Sequence, residues 1–361
     1  MQLPALFHIS DLHTGAYRFV PDQLVRCQEM YDALYERIIA HPNPRKIANI
    51  VGDVYDRKNI TEEERNLFLD FVTRLLLAGV VVIIINGNHD FYVEGLTLLE
   101  PLRYLARLNK NLHVVLGKPA RIDVYGIGFG CIPCQQNLTT EQLSAIAQRL
   151  YKQQPVDTFY MVVHEAVYGA MNHRQTWRAK SDKYLKIPKL DFVTGWMLGD
   201  IHKRQKIAEN AYYSGPPIQI KSDEDPRGGI LEWRGYFVKF HEIKSRGFRF
   251  TNDYDEAIAF AAEGHYVRFT GTVPKGATLP INVAANGDIA AIELDIDFTG
   301  TEGEPDEFKF DMDLISPLPT YLAGQGLQPQ QQQLAVELVS NYLQSRNNVA
   351  ETIAGDDDDE D

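Results

Sequence analysis

The sequence predicts a layered α/β domain with a largely parallel core. Unbroken apolar runs of strand length recur through the first two hundred residues, and stretches with helical spacing separate the early ones. Runs that are apolar at every position suit strands buried on both faces. Strands that alternate with helices build parallel sheets covered by those helices. Each run also ends in side chains that can bind a metal ion.

The first strand is expected at Leu3–Ile9. A helix should follow over Pro21–Ala40, with Leu24, Cys27, Tyr31, Leu34 and Ile38 on one side. Ile47–Val51 reads as the second strand. Thr61–Leu77 reads as a second helix, opened by the capping-box pattern Thr61-Glu62-Glu63-Glu64. Val80–Ile85, Phe159–Val163 and Val193–Leu198 complete the strand set. Residues 96–108 carry a helical stripe of Leu96, Leu99, Leu102 and Leu105, which is either core or a homodimer contact. From Thr251 the texture changes. A short helix (Asp255–Ala262) precedes a strand (Tyr266–Val273), and Ile292, Leu294, Ile296 and Phe298 alternate with acidic residues. We therefore expect a main domain over 1–250 and a small α+β domain over 251–315. A Pro/Gln-rich linker over 316–333, an amphipathic helix over 334–350 and an acidic, disordered tail over 351–361 should follow.

The chain has 361 residues, 44% of them hydrophobic and 24% charged, enough for a full core and about two domains. The longest charge-free apolar run, Leu75–Ile85, is far short of the ~20 residues of a membrane span. The apolar start lacks a basic lead and Asp11 interrupts it, so it does not read as a signal peptide. No membrane association and a cytoplasmic location are expected (the host's cytoplasm, for a phage product). Three cysteines make no disulfide framework and favour a reducing compartment. Cys131 and Cys134 form a C-x-x-C. A redox pair or half a zinc site is one reading; two ordinary thiols near a strand end is the better one. The net charge is −13, of which residues 356–361 supply −6 and the rest −7. Such a chain is a poor overall match to a phosphate backbone. Segment 173–206 is the local exception, with nine Lys or Arg against three Asp. Arg174, Arg178, Lys180, Lys183, Lys203 and Arg204 are its candidate DNA contacts, with Trp177 and Tyr184 available to stack on bases.

The five apolar runs end in Asp11-Leu12-His13, Gly52-Asp53-Val54-Tyr55-Asp56, Gly87-Asn88-His89-Asp90, His164-Glu165 and Gly199-Asp200-Ile201-His202. Singly, each is ordinary loop chemistry. Jointly, five strand ends at one sheet edge, all with ligand-type side chains, point to one site. Phosphodiester cleavage needs a nucleophile at neutral pH and neutralised phosphate charge, which two ions ~3.5–4 Å apart provide. Mixed imidazole, carboxylate and amide donors suit Mn²⁺, Fe or Zn²⁺. An unligated His can protonate the leaving group.

In this order, D-x-H, G-D-x-x-D, G-N-H-D, a later His and G-x-x-H resemble the calcineurin-like metallophosphoesterases. Tyr213-Ser214-Gly215-Pro216-Pro217-Ile218-Gln219 and Gly228-Gly229-Ile230-Leu231-Glu232 are similar to the SbcD-type DNA repair nucleases and their phage relatives. The resemblance implies a layered metallophosphoesterase sandwich with a small cap domain and a C-terminal partner-binding helix. It implies a Mn²⁺-dependent DNA exo- and endonuclease that works with an SbcC-type coiled-coil ATPase. Asp11, His13, Asp53 and His202 would hold one ion; Asp53, Asn88, His164 and Asp200 the other. His89 would protonate the leaving group, oriented by Asp56. One residue departs from the family's usual G-H-x-H: Asp200 stands where an imidazole is expected. A carboxylate there, direct or through water, tilts the site toward Mn²⁺ or Mg²⁺. Two other functions fit the sequence. One is a stand-alone phosphoesterase on a small molecule or phosphoprotein. The other is a structural subunit with a crippled site, which only Asp200 favours.

Overall fold

The computed structural model describes residues 3–16, 23–93, 96–135, 137–171, 185–221 and 224–274, with 277, 280 and 283–284 beyond them. The first part of the chain forms β1 (Ala5–Ile9), α1 (Gln23–Ile39), β2 (Lys46–Val51), α2 (Glu62–Leu77) and β3 (Val81–Ile85). A small two-stranded sheet follows, β4 (Phe91–Val93) with β5 (Leu96–Thr97), and then α3 (Glu100–Leu108). Next come β6 (Leu112–Val115), β7 (Ala120–Val124), β8 (Ile127–Ile132), α4 (Thr140–Gln153), β9 (Phe159–His164) and β10 (Gly195–Gly199). Two hairpins complete the main body, β11 (Gln205–Ala208) with β12 (Ala211–Tyr213), and β13 (Gly229–Arg234) with β14 (Phe237–Glu242). Last are β15 (Phe248–Thr251), α5 (Tyr254–Ala262), β16 (Tyr266–Phe269) and β17 (Val283–Ala284).

Two six-stranded sheets stack face to face. Their orders are β14-β13-β1-β2-β3-β6 and β11-β12-β10-β9-β8-β7. The inner strands of each run parallel; β13 and β14 in one, and β7 and β11 in the other, are antiparallel additions. Strand alternation divides each apolar run between two cores. Phe7, Ile9, Ile50 and Ile84 pack against Tyr31 and Leu34 of α1 and Phe68 and Phe71 of α2. Leu6, Ile47, Ile83 and Ile85 pack against Phe129, Tyr160, Val162 and Met197 of the facing sheet. On the far side, Phe159, Met161, Trp196 and Leu198 are covered by Leu143, Ala147 and Leu150 of α4. The result is an α/β/β/α sandwich, and burial of both strand faces explains the unbroken runs.

The five ligand-bearing strands therefore belong to two sheets and not to one. β1, β2 and β3 lie in the first, β9 and β10 in the second. Strand pattern alone cannot assign a strand to a sheet, because a doubly buried strand looks the same in either. His8 bridges the pair: its Nε2–H donates to the Leu198 carbonyl at 3.0 Å. Complete burial lowers its pKa to about 3, so the ring is a neutral structural link.

The Thr61/Glu64 capping box forms as expected. A second, Thr139/Gln142, opens α4, a helix whose buried residues are only Leu143, Ala147 and Leu150. The stripe on 96–108 divides: Leu99 and Leu102 are core, whereas Leu96, Tyr104 and Leu108 are exposed. The segment 248–269 has its own core of Phe248, Ala257, Ala261, Tyr266, Val267 and Phe269. Its strands β15 and β16 run parallel to each other and to β17, and the first begins at Phe248, ahead of the expected boundary. The expected strand over 292–298, the linker 316–333, the helix 334–350 and the tail 351–361 lie outside the described residues. No described helix is long and apolar enough to cross a membrane.

Candidate metal centre

The strand ends meet where the two sheets abut. Three groups of donors gather there with their ligand atoms all within 4.8 Å of one another: Asp11, His13 and His202; Asp11, Asp53 and His164; His13, Asp53 and His89. Four of the six non-glycine residues with positive φ among the described residues belong to this site: Asp11 (56°), His13 (43°), Asp53 (51°) and Asp200 (95°). Backbone strain of this kind persists only where the surroundings over-determine it, and it clusters at functional sites.

The ring nitrogens are committed so that lone pairs converge. His164 donates from Nδ1 to the Val51 carbonyl at 2.8 Å. Its Nε2 then faces Asn88 Oδ1 at 3.0 Å and Asp53 Oδ1 at 3.3 Å. His202 donates from Nδ1 to Glu224 Oε1 at 2.5 Å, which turns its Nε2 to His13 Nε2 at 3.0 Å. Asp53 Oδ2 lies 3.6 Å from that same His13 nitrogen. Thus one oxygen of Asp53 faces the His164–Asn88 side and the other the His13–His202 side. Converging acceptors fit cations, and the shared carboxylate, whose Oδ1 also accepts the His89 backbone N–H at 3.0 Å, fits two. The field agrees. Burial would raise Asp53, but His164, His13 and His89 hold it below the usual carboxylate range. Burial would lower His164, but Asp53 and Asp11 hold it well above the ordinary imidazole value. The centre favours positive charge.

Glycines make room for this. A Cβ on Gly87 would sit 2.0 Å from Asp53 Oδ1 and 2.7 Å from His164 Nε2. One on Gly52 would sit 2.2 Å from His164 Nδ1, and one on Gly199 2.6 Å from it. The glycines that open three of the five ligand motifs are therefore a packing requirement around one imidazole.

Of the sequence-derived metal residues, Asp11, His13, Asp53, His164 and His202 join these donor groups and Asn88 faces His164, with two differences from expectation. Asp11 joins donor groups on both sides of the pair, not one. Asp200 joins none of the three groups; it lines the cavity, and its backbone N–H donates to Asp11 Oδ1 at 3.0 Å. His89 sits exposed at the cavity, and its Nδ1–H donates to the backbone carbonyl of Asp56 at 2.6 Å. Asp56 thus orients His89, but through its main chain. Its carboxylate turns instead to His13 Nδ1 at 3.2 Å.

Three residues escaped the sequence reading. Glu224 orients His202 from 22 residues away, with no local signal. Asp90 accepts from the backbone N–H groups of Val54, Tyr55 and Gly87, so it clamps the loops of β2 and β3 together. Burial and Asp53 raise it to about 7. Its place beside His89 in G-N-H-D was the available clue. Lys221 is a cation lining the cavity, which has a volume of about 370 Å³. The Tyr213–Gln219 stretch supports these groups: Ser214 bonds Ser10 at 2.7 Å, and Gln219 donates to the Glu224 carbonyl at 3.1 Å. The two thiols of the C-x-x-C are free. Burial pushes Cys131 up to about 12 and raises Cys134 too, with Glu165 and Asp200 adding to the latter. Of the basic segment, Arg174, Arg178, Lys180 and Lys183 lie outside the described residues, as do Trp177 and Tyr184. Lys203 and Arg204 follow His202 directly. Arg204 stacks over Phe240 at 3.4 Å.

The chain is 24% identical over 213 residues to the DNA double-strand break repair protein Mre11 of Sulfurisphaera tokodaii, covering 57% of this chain and 50% of that protein. It is 26% identical over 255 residues to the SbcD component of nuclease SbcCD of Escherichia coli K12, covering 61% and 62%. The match thus spans half to three-fifths of the length of these curated relatives. A solved structure of a protein of unknown function from Aquifex aeolicus shares 12% identity over 51% of this chain and 89% of its own. Its TM-score of 0.27 is too low to argue from. The sequence pattern of the calcineurin-like phosphoesterases matches residues 5–204, more than half the chain and every candidate metal ligand of the centre, while Lys221 and Glu224 lie beyond it. The protein belongs to the calcineurin-like phosphoesterase family, whose chemistry rests on a dinuclear metal site.

Proposed function

We propose that the protein is a Mn²⁺-dependent DNA nuclease, acting on double-stranded ends and internally, as the nuclease subunit of an ATPase–nuclease complex. The observation that carries the proposal is Asp53, whose two carboxylate oxygens face two separate donor clusters at the floor of an open cavity. Asp11, His13, Asp53 and His202 would hold one ion. Asp53, Asn88 and His164 would hold the other, with Asp11 within reach and Asp200 completing the shell directly or through water. Bound there, the pair would lower the pKa of a water and neutralise charge on the phosphate. The chain's own residues supply the rest. When it carries a proton on both nitrogens, His89 keeps Nδ1–H on the Asp56 carbonyl and gives the Nε2 proton to the leaving oxygen. Lys221, at the cavity wall beside His202, offers a cation to the phosphodiester.

DNA as substrate is supported by the functions for which the two relatives are named and by Lys203 and Arg204 in the connection between β10 and β11. An SbcC-type ATPase as partner rests on the sequence of 334–350, and a homodimer on the apolar residues that α3 exposes.

The test is cleavage of end-labelled linear duplex DNA with Mn²⁺, comparing the native chain with His89→Ala and Asp200→His. We expect the native chain to cut and His89→Ala to be slower by about 10²–10⁴-fold. A native chain that stays inert even with its ATPase partner, while Asp200→His cuts, would mean that the protein is a structural subunit. Turnover of short diesters without any action on DNA would favour the stand-alone phosphoesterase.

A further inference from the structure

Glu64 is the N3 residue of α2 and completes its capping box by accepting from the Thr61 N–H at 2.9 Å. An N3 glutamate serving only that purpose has no need to be buried. In this same chain Gln142 does the job for α4 with an uncharged, exposed side chain. Glu64 is instead 1% exposed. Its second oxygen points inward, beneath the loop that carries Asp11 and His13. A Cβ on Gly15 of that loop would come within 2.6 Å of it. That oxygen accepts from Arg57 Nη2 at 2.7 Å and from Gln23 Nε2 at 3.3 Å. Arg57 Nη1 in turn lies 3.6 Å from Asp56 Oδ2, and Asp56 Oδ1 lies 3.2 Å from His13 Nδ1. A continuous line of alternating charge thus runs from the first turn of α2 to an imidazole of the metal centre.

The last link is the loose one. The Asp56–His13 contact is off the line of a well-formed hydrogen bond. A carboxylate so placed holds its position only if something fixes its other oxygen, and Arg57 is the group at that side. Arg57, a long flexible cation, is fixed in turn by the buried Glu64. A carboxylate that orients a ligating imidazole also sets which nitrogen faces the metal.

We propose that Glu64 and Arg57 are positioning residues for His13, acting through Asp56. α2 is then a rigid arm that holds one side of the metal pair, and its charged N-terminal turn fixes how tightly that ion binds. This rests on the reading of the centre as a metal site, but not on the identity of the substrate.

The experiment is Mn²⁺ titration of the full chain by calorimetry, run beside thermal unfolding of each metal-free variant. Glu64→Gln keeps a capping residue at N3, as Gln142 shows, but loses the charge that holds Arg57. We expect it to bind one of two ions about 10–100-fold more weakly, with Tm close to native. Thr61→Ala breaks the cap without touching the charged line. We expect a lower Tm and native Mn²⁺ affinity. Arg57→Met should match Glu64→Gln, and the double variant should cost no more than either alone. Native affinity in Glu64→Gln, or affinity that merely follows Tm across the series, would overturn the proposal. Additive losses in the double variant would overturn the line of action through Arg57. A native chain that binds no Mn²⁺ would overturn this inference and the metal reading together, whereas failure to cut DNA leaves it standing.

Discussion

At the scale of single residues, most of the centre was legible in advance. Asp11, His13, Asp53, Asn88, His89, His164 and His202 each follow or close an apolar run, and their side chains gather where the two sheets abut. What could not be read was orientation. The order of Asp53 and Asp56 in G-D-x-x-D says nothing about which ring Asp56 faces; the turn geometry gives its carbonyl to His89 and its carboxylate to His13. Glu224 was beyond reach because its tie to His202 is made across the fold. The glycines are the clearest residue-level constraint. In Gly87→Ala the new methyl group meets the carboxylate of Asp53, its backbone nitrogen and the His164 ring. We expect a folded protein that retains less than one ion per chain after dialysis against Mn²⁺. Metal analysis showing two ions would refute the packing argument.

At the scale of elements, strands were easier to read than their partners. β1, β2, β3, β9 and β10 announce themselves by composition. α4 did not, since its exposed face is polar and only three buried residues mark it. The β7–β8 hairpin was hidden because Tyr125-Gly126 supplies its turn with φ of 53° and 81°, where Asn-Gly would have been the familiar signal. The β13–β14 hairpin carries a cluster that makes a pH prediction. Glu232 on β13 is buried and accepts from Arg234 Nε at 2.6 Å and from His241 Nε2 at 2.6 Å, with His41 Nε2 at 3.2 Å. Burial alone would raise its carboxyl, yet these partners hold it below the usual value of 4.5. A depressed carboxyl stabilises the fold above its unfolded pKa, and that contribution disappears as pH falls through the folded value. Native Tm should therefore exceed that of Glu232→Gln by a constant margin above pH 5, and the margin should close below pH 4. A margin that widens in acid would show the sign to be wrong.

At the scale of the whole molecule, the acidic balance of the chain extends into the cavity, where Asp53, Asp56 and Asp200 face the single lysine Lys221, so charge on a bound phosphate would be neutralised by metal ions more than by side chains. The helical stripe on 96–108 resolves into a core half and an exposed half. Tyr92 and Leu96 share a surface cleft with Ile60, and α3 exposes Tyr104 and Leu108 at 68% and 86%. Isolated exposed apolar side chains are ordinary, but several grouped on one face mark an interaction surface. If that surface pairs two copies, sedimentation should give a dimer for the native chain and a monomer for Leu108→Glu, with Tm of the monomer little changed. A native monomer at micromolar concentration would remove the homodimer from the proposal.

The division of the donors between two sheets has a consequence for the protein's birth. A ribosome delivers Asp11, Asp53 and Asn88 early, all on strands of one sheet; His164 and His202 follow much later on the other. Until the second sheet is synthesised and docked, Asp53 has neither His164 beside it nor His202 across from it. The growing polypeptide thus lacks a complete donor set until strands of the second sheet have been made and docked.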